Sequence, residues 1–184
     1  MKSALILFLI FCCIITTALA QKNNHPEQKN ASGKSNSVAL GIDFPLAGIT
    51  NTHSFGFGFQ FARSKHRFGQ LISLQASPIG FTYNFGAEYL LGKKDSYNVK
   101  YKGYSFIHAF AGFILNAGLN SNIGLTAGPS ASIYTNSTLW GIGFDFNGNF
   151  YLSPKIGISL SLLLYKQSEN NSIWIASING NFSF

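Results

Sequence analysis

The sequence predicts an all-β fold, a transmembrane antiparallel up-and-down β-barrel of eight strands, and three observations point to it. First, the N-terminal stretch MKSALILFLIFCCIITTALA has one lysine, an apolar run from Ala4 to Ile15 and a small-residue exit at Ala18-Leu19-Ala20. That is the arrangement of a cleaved secretory signal over residues 1–20. Second, charged residues make up 10% of the chain against 46% hydrophobic ones. Soluble domains carry about 25% charged residues, yet after the signal there is no apolar run near the roughly 20 residues of a spanning helix. Third, apolar and small polar residues alternate over long stretches, the period of a strand with two unlike faces. Lipid outside and a polar interior, with no sheet edge left unpaired, reconcile the three.

Residues 21–37 (QKNNHPEQKNASGKSNS) are polar and lack a strand pattern, so they are expected to form a disordered periplasmic lead before a barrel domain over 38–184. Val38 to Leu46 places Val38, Leu40, Ile42 and Phe44 on one face and Asp43 on the other. His53 to Arg63 alternates most cleanly, with Phe55, Phe57, Phe59 and Phe61 against Gly56, Gly58, Gln60 and Ala62. Four phenylalanines on one face suit lipid, and the glycines leave room inside a narrow barrel. Ser64 to Pro78 is ambiguous; counting a strand there would make nine, and even numbers are usual, so it reads as a connecting loop or a partial strand extension. Ile79 to Leu91 sends Phe81, Tyr83, Phe85 and Tyr89 outward and Asn84 and Glu88 inward.

Gly103 to Ala117 has mixed parity and is expected to need a bulge near Gly112. Asn122 to Thr135 alternates but contains Pro129, which lacks an amide donor and is expected to mark another bulge. Thr138 to Leu152 turns Trp140, Ile142, Phe144 and Phe150 outward and Asp145 inward. Lys155 to Lys166 and Ser172 to Phe184 complete the eight, the last with Ile173 and Ile175 on the nominal lumen side. An even count puts both ends in the periplasm, with the loops at 46–52, 92–102, 136–137 and 166–171 outside.

Both cysteines, Cys12 and Cys13, lie within the signal, so no disulfide or thiolate site is expected after cleavage. The four histidines at 25, 53, 66 and 108 show no metal-ligand spacing, and no cofactor is expected. His53-Ser54 and His108 with Ser105 supply hydrolase residue types, but each pair splits between opposite faces and no orienting third group follows by spacing. An envelope lipid-modifying enzyme is therefore the least supported reading, and a non-enzymatic protein is expected. The chain is basic, 13 Lys plus Arg against 6 Asp plus Glu, without the dense stripe of a nucleic-acid binder. Lys65 with Arg67, Lys93 with Lys94 and Lys100 with Lys102 fall near strand ends, where they can meet lipid head groups or lipopolysaccharide phosphate.

Asp43, Glu88, Asp145 and Arg63 are the candidates for a polar network in the lumen, with His53 or a rim lysine as a further partner. Such a network either fills the interior or shapes a narrow pore for small solutes; eight strands leave an interior about wide enough for side chains alone. Tyr89, Trp140, Phe150 and Trp174, outward and near strand ends, are candidate interfacial anchors.

The signal, the stretches THSFGFGFQFARSKHRFG, GFTYNFGAEYLLGKK and KYKGYSFIHAFAGFI, and the final Phe184 together resemble the small outer membrane β-barrel proteins of Bacteroidota-type bacteria, broadly the OmpA/OmpX-like eight-stranded class. The resemblance covers residues 38–184. It implies outer-membrane localisation, a monomer, and a structural, envelope-integrity or surface-interaction role. It also implies that Phe184, with Phe182, serves as an assembly signal for the barrel assembly machinery. No catalytic residues carry over.

Overall fold

The computed structural model describes residues 34–67, 79–94, 96–118, 121–153, 155–168 and 171–184, and the structural statements below concern these. They form eight antiparallel strands: β1 (Lys34–Ala47), β2 (His53–Arg67), β3 (Ile79–Gly92), β4 (Tyr104–Gly118), β5 (Ser121–Tyr134), β6 (Ser137–Tyr151), β7 (Ile156–Gln167) and β8 (Ser172–Ser183). Each pairs with its sequence neighbours, and β8 pairs back onto β1 from Ser37↔Ser183 to Ala47↔Trp174, closing the barrel. The expected fold class is the one observed. Strands of 12 to 15 residues exceed the 9–11 that a tilted membrane strand requires.

Alternation decides which residues face out. Leu40 (64% exposed), Phe57, Phe85, Phe113, Leu125, Ile142 and Ile158 belong to an outward belt of large apolar side chains. A water-facing surface rarely gathers more than a few hundred Å² of contiguous apolar area, so the belt is a lipid-facing surface. The start of β1 and the end of β8 lie at one mouth, where the backbones of Asn36 and Phe184 exchange hydrogen bonds of 3.1 and 2.9 Å. At this terminal end β2 ends and β3 begins, as do β4 and β5 and β6 and β7; the facing ends of β1 and β2, β3 and β4, β5 and β6, and β7 and β8 lie at the other, loop end.

Several boundaries differ from expectation. β1 begins at Lys34, four residues before Val38, because Lys34 to Ser37 pair with Ala62 to Lys65 of β2 and Ser37 also pairs with β8. Paired backbone satisfies a strand whatever the side chains, so the polar run ending at Ser37 gave no sign of it. The remainder of the expected lead and the signal lie outside the described residues. β2 runs on through Ser64 to Arg67, the partial extension that segment allowed, and residues 68–78 lie outside the described residues.

Neither expected bulge occurs. Gly112 pairs in register with Thr82 and Thr126, and the mixed parity of β4 arises because Tyr104, Phe106, Phe110 and Ile114 point into the lumen, making both faces apolar. At Pro129 the register is the same on either side, His108↔Ser130 and Ala111↔Ala127; only the intervening β4–β5 pairs drop out, as an absent N–H requires. The register shifts lie at the strand ends, at Pro45/Ala47, His53/Gly56 and Asn116/Gly118.

Candidate functional site

Inward residues from all eight strands fill the lumen in layers. Toward the loop end, Leu90, Phe106, Leu163, Tyr165, Ile173 and Ile175 form one buried cluster, with Phe106 and Ile175 at 0% exposure. Phe106 stacks on Tyr165 at 4.7 Å between ring centroids, and Tyr104 packs on Phe106 at 4.6 Å. Rings at this spacing occupy the cross-section of a narrow barrel with the offset and tilted contacts that aromatic quadrupoles favour. Ile173 and Ile175 thus face the lumen as their parity required.

Beneath this plug lies the acidic layer. Glu88 (β3) accepts the Tyr165 hydroxyl proton at Oε2 and has His108 Nδ1 3.3 Å from Oε1. His108 Nδ1 is also 2.9 Å from the Tyr165 oxygen. Because the single hydroxyl hydrogen of Tyr165 goes to Glu88, the imidazole N–H on Nδ1 is the donor there. The other ring nitrogen, Nε2, is buried without a hydrogen-bond partner, and the ring stacks on Phe110 at 4.2 Å. The imidazole lies over Gly86; an added Cβ there would come within 2.7 Å of Nε2, so the position needs a glycine. Asp43 accepts the Ser177 hydroxyl at Oδ1, and Asp145 accepts Asn147 Nδ2 at 2.8 Å and Asn84 Nδ2 at 3.4 Å, both on Oδ2.

Toward the terminal end the filling becomes amides and hydroxyls. Asn149 donates to Asn122 Oδ1 at 2.7 Å and Asn147 Oδ1 at 3.0 Å, and accepts from Asn181 at 2.9 Å. Asn122 in turn donates to the Tyr151 hydroxyl at 3.1 Å. A cavity of about 40 Å³ among Ser37, Gln60, Ser64, Asn84, Asn149 and Asn181 leaves room for water in this half.

Three of the four candidate network residues, Asp43, Glu88 and Asp145, are inside and buried. Arg63 is not with them. It pairs with Asn36 and Tyr83 on the outward parity of β2 and is exposed, since Ala62 and Ser64 take the inward positions on either side. His53 is also no partner of the acids: it is buried at the loop end, where its Nε2–H donates to the Lys102 carbonyl at 2.9 Å. His108 and Tyr165 are the partners that pattern reading missed. Their inward parity, shared with Glu88, was the available signal. His108 and Ser105 point to opposite faces, as expected.

Outside the lumen, Tyr89, Trp140 (69% exposed) and Trp174 face outward near the loop end, and Phe150 is partly exposed near the terminal end. Phe182 faces outward between Val38 and Ile156, and Phe184 lies beyond it at the terminal mouth. The β3–β4 connection extends the barrel as a hairpin: Lys94 bridges to Lys100, and Tyr101 N donates to Lys93 O at 2.9 Å. Asn98, with φ 64°, lies in the hairpin. Lys93, Lys94, Lys100 and Lys102 are all exposed; Lys93 Nζ reaches the Thr50 carbonyl at 2.7 Å and ties the hairpin to the β1–β2 turn.

No protein-family model matches the chain, and no curated protein matches it. Solved structures do. The crystal structure of Ail, the attachment invasion locus protein of Yersinia pestis, superposes with a TM-score of 0.55 at 10% identity over 82% of this chain and 98% of Ail. Ail in complex with the heparin analogue sucrose octasulfate gives 0.56 at 9% identity, covering 82% and 99%. Ail in a phospholipid bilayer nanodisc gives 0.53 at 11% identity, covering 83% and 100%. At such identities the likeness is one of fold, and the fold is that of an eight-stranded outer-membrane β-barrel of the structural class that includes Ail.

Proposed function

We propose that this chain is a non-enzymatic, monomeric outer-membrane barrel that acts at its loop end, where the β3–β4 hairpin docks polyanionic surface molecules. The observation that carries the reading is the contrast between a sealed interior and an exposed cationic hairpin. Phe106, Tyr165 and Ile175 fill the lumen, which removes the support for a solute pore, while Lys93, Lys94, Lys100 and Lys102 stand in solvent on one projection. Grouped ammonium groups repel one another and are relieved by a multivalent anion, so a sulfated polysaccharide or the phosphates of lipopolysaccharide fit the patch. The cocrystallised heparin analogue is a property of Ail; in this chain the support is its own lysines.

The rest of the surface fits the same placement. Tyr89, Trp140, Phe150 and Trp174 act as interfacial anchors, and exposed Arg63 and Lys65 beside Tyr83 and Phe81 meet lipid head groups at the terminal side. Phe184 and Phe182 serve recognition by the barrel assembly machinery. The aromatic–glycine strands β2 and β3 support grouping the chain with the small barrels of Bacteroidota-type bacteria.

The test is titration of the folded barrel with a heparin-like sulfated polysaccharide at rising salt. Binding should weaken steeply as salt screens the hairpin, and replacing Lys93, Lys94, Lys100 and Lys102 by Gln should lower affinity by about tenfold or more. Affinity unchanged by salt or by the four substitutions would rule the patch out.

A further inference from the structure

The acidic layer contains an unbalanced charge next to an unfilled space. Every lysine and arginine whose side chain is described is exposed, so among the described side chains the buried acids Asp43, Glu88 and Asp145 have His108 as the one basic group beside them. Glu88 accepts the Tyr165 hydroxyl at Oε2 and has His108 Nδ1 3.3 Å from Oε1. Asp43, at 0% exposure, has the Ser177 hydroxyl at Oδ1 and no partner at all for Oδ2. It lines a void of about 10 Å³, whose other oxygen-bearing walls are Glu88, Gln60, Ser161, Ser177 and Asn179. That is close to the space one water molecule occupies.

We infer that this void is a binding site for one bare alkali-metal cation, sodium or potassium, held chiefly by Asp43 and Glu88. A carboxylate stripped of water stays ionised only when paired or coordinated. The surrounding donors are all hard oxygens, the set that hard cations take. The space excludes a magnesium ion with its retained waters; of the two unpartnered carboxylate oxygens in the layer, Asp43 Oδ2 belongs to a residue that lines the void, whereas Asp145 does not line it. Gln60 also borders the 40 Å³ polar cavity of the terminal half, so this side chain lies between the two spaces, while Leu163 lines the void and belongs to the apolar plug toward the loop side. Gly58 keeps the space open: a Cβ there would lie 2.9 Å from Asp43 Oδ2 and 3.0 Å from Oδ1.

The experiment is thermal unfolding of the folded barrel in detergent micelles, at fixed pH and equal ionic strength, in sodium, potassium and choline chloride. The midpoint should rise saturably with sodium, potassium or both above its value in choline, which is too large for the void. Asp43→Asn and Gly58→Ala, each checked for the folded mobility on gels, should unfold at one midpoint in all three salts. Equal wild-type midpoints in the three salts would overturn the site, even if neither variant folds. So would a sodium or potassium response that survives in Asp43→Asn, or a wild-type midpoint that follows pH alone, which would mean that a proton neutralises Asp43 in place of a cation.

Discussion

From the loop end to the terminal end, the lumen changes from stacked rings and branched aliphatics around Phe106, Tyr165 and Ile175 to a lattice of asparagines around Asn149, on one continuous eight-stranded wall. The aromatic half is held by burial and close packing, which lose energy steeply when an atom is removed because nothing refills the gap. The amide half is held by directional bonds beside a cavity large enough for water, so a lost partner can be replaced from solvent. One wall can therefore carry a dry seal and a wet mouth. The acids sit at the boundary, where Tyr165 contributes its ring to the seal and its hydroxyl to Glu88.

The largest break in this comparison should come from Phe106→Ala. Truncating a fully buried ring that packs on both Tyr104 and Tyr165 should destabilise the barrel by about 3–5 kcal/mol, read as a lower urea midpoint with unchanged slope. A loss below about 1 kcal/mol would mean the seal repacks. Tyr165→Phe keeps the ring and tests the boundary alone. Glu88 and His108 would lose their shared hydroxyl, at a cost of about 1–3 kcal/mol; a variant as stable as wild type would show that water reaches this layer. The smallest effect belongs to Asn149→Ala, about 0.5–1.5 kcal/mol by the same unfolding measurement, although Asn149 makes more hydrogen bonds than Tyr165. If it matched Phe106→Ala, the terminal half would be as dry as the loop half.

The outer face of the barrel was legible because strand period and lipid contact act on every second residue: Phe55, Phe57 and Phe59 on β2, or Ile142 and Phe144 on β6, announce their side without knowledge of neighbours. The inner face was legible only in part. Asp43, Glu88 and Asp145 could be assigned inward from parity, but which groups meet across the lumen depends on the stagger between strands as far apart in sequence as β1 and β8. Arg63 was misplaced because its charge was weighed above its parity. In β4 the apolar inner face looked like a register fault, because an apolar residue on either parity leaves the two faces of a strand alike. Pro129 cost a pair of ladder contacts and no residue of register, a distinction that composition cannot make.

The closing seam has a kinetic consequence. Pairing β1 with β8 joins Val38 to Phe182, nearly the full length of the barrel sequence, while every other seam joins strands adjacent in the chain. The entropy of bringing such distant ends together is offset only after the intervening hairpins have formed. The first strand to be made thus waits, one edge unsatisfied, for the last, and an unpaired edge in hydrocarbon is strongly unfavourable. Closure of the β1–β8 seam, the Asn36–Phe184 backbone clasp included, is accordingly expected to follow formation of the hairpins.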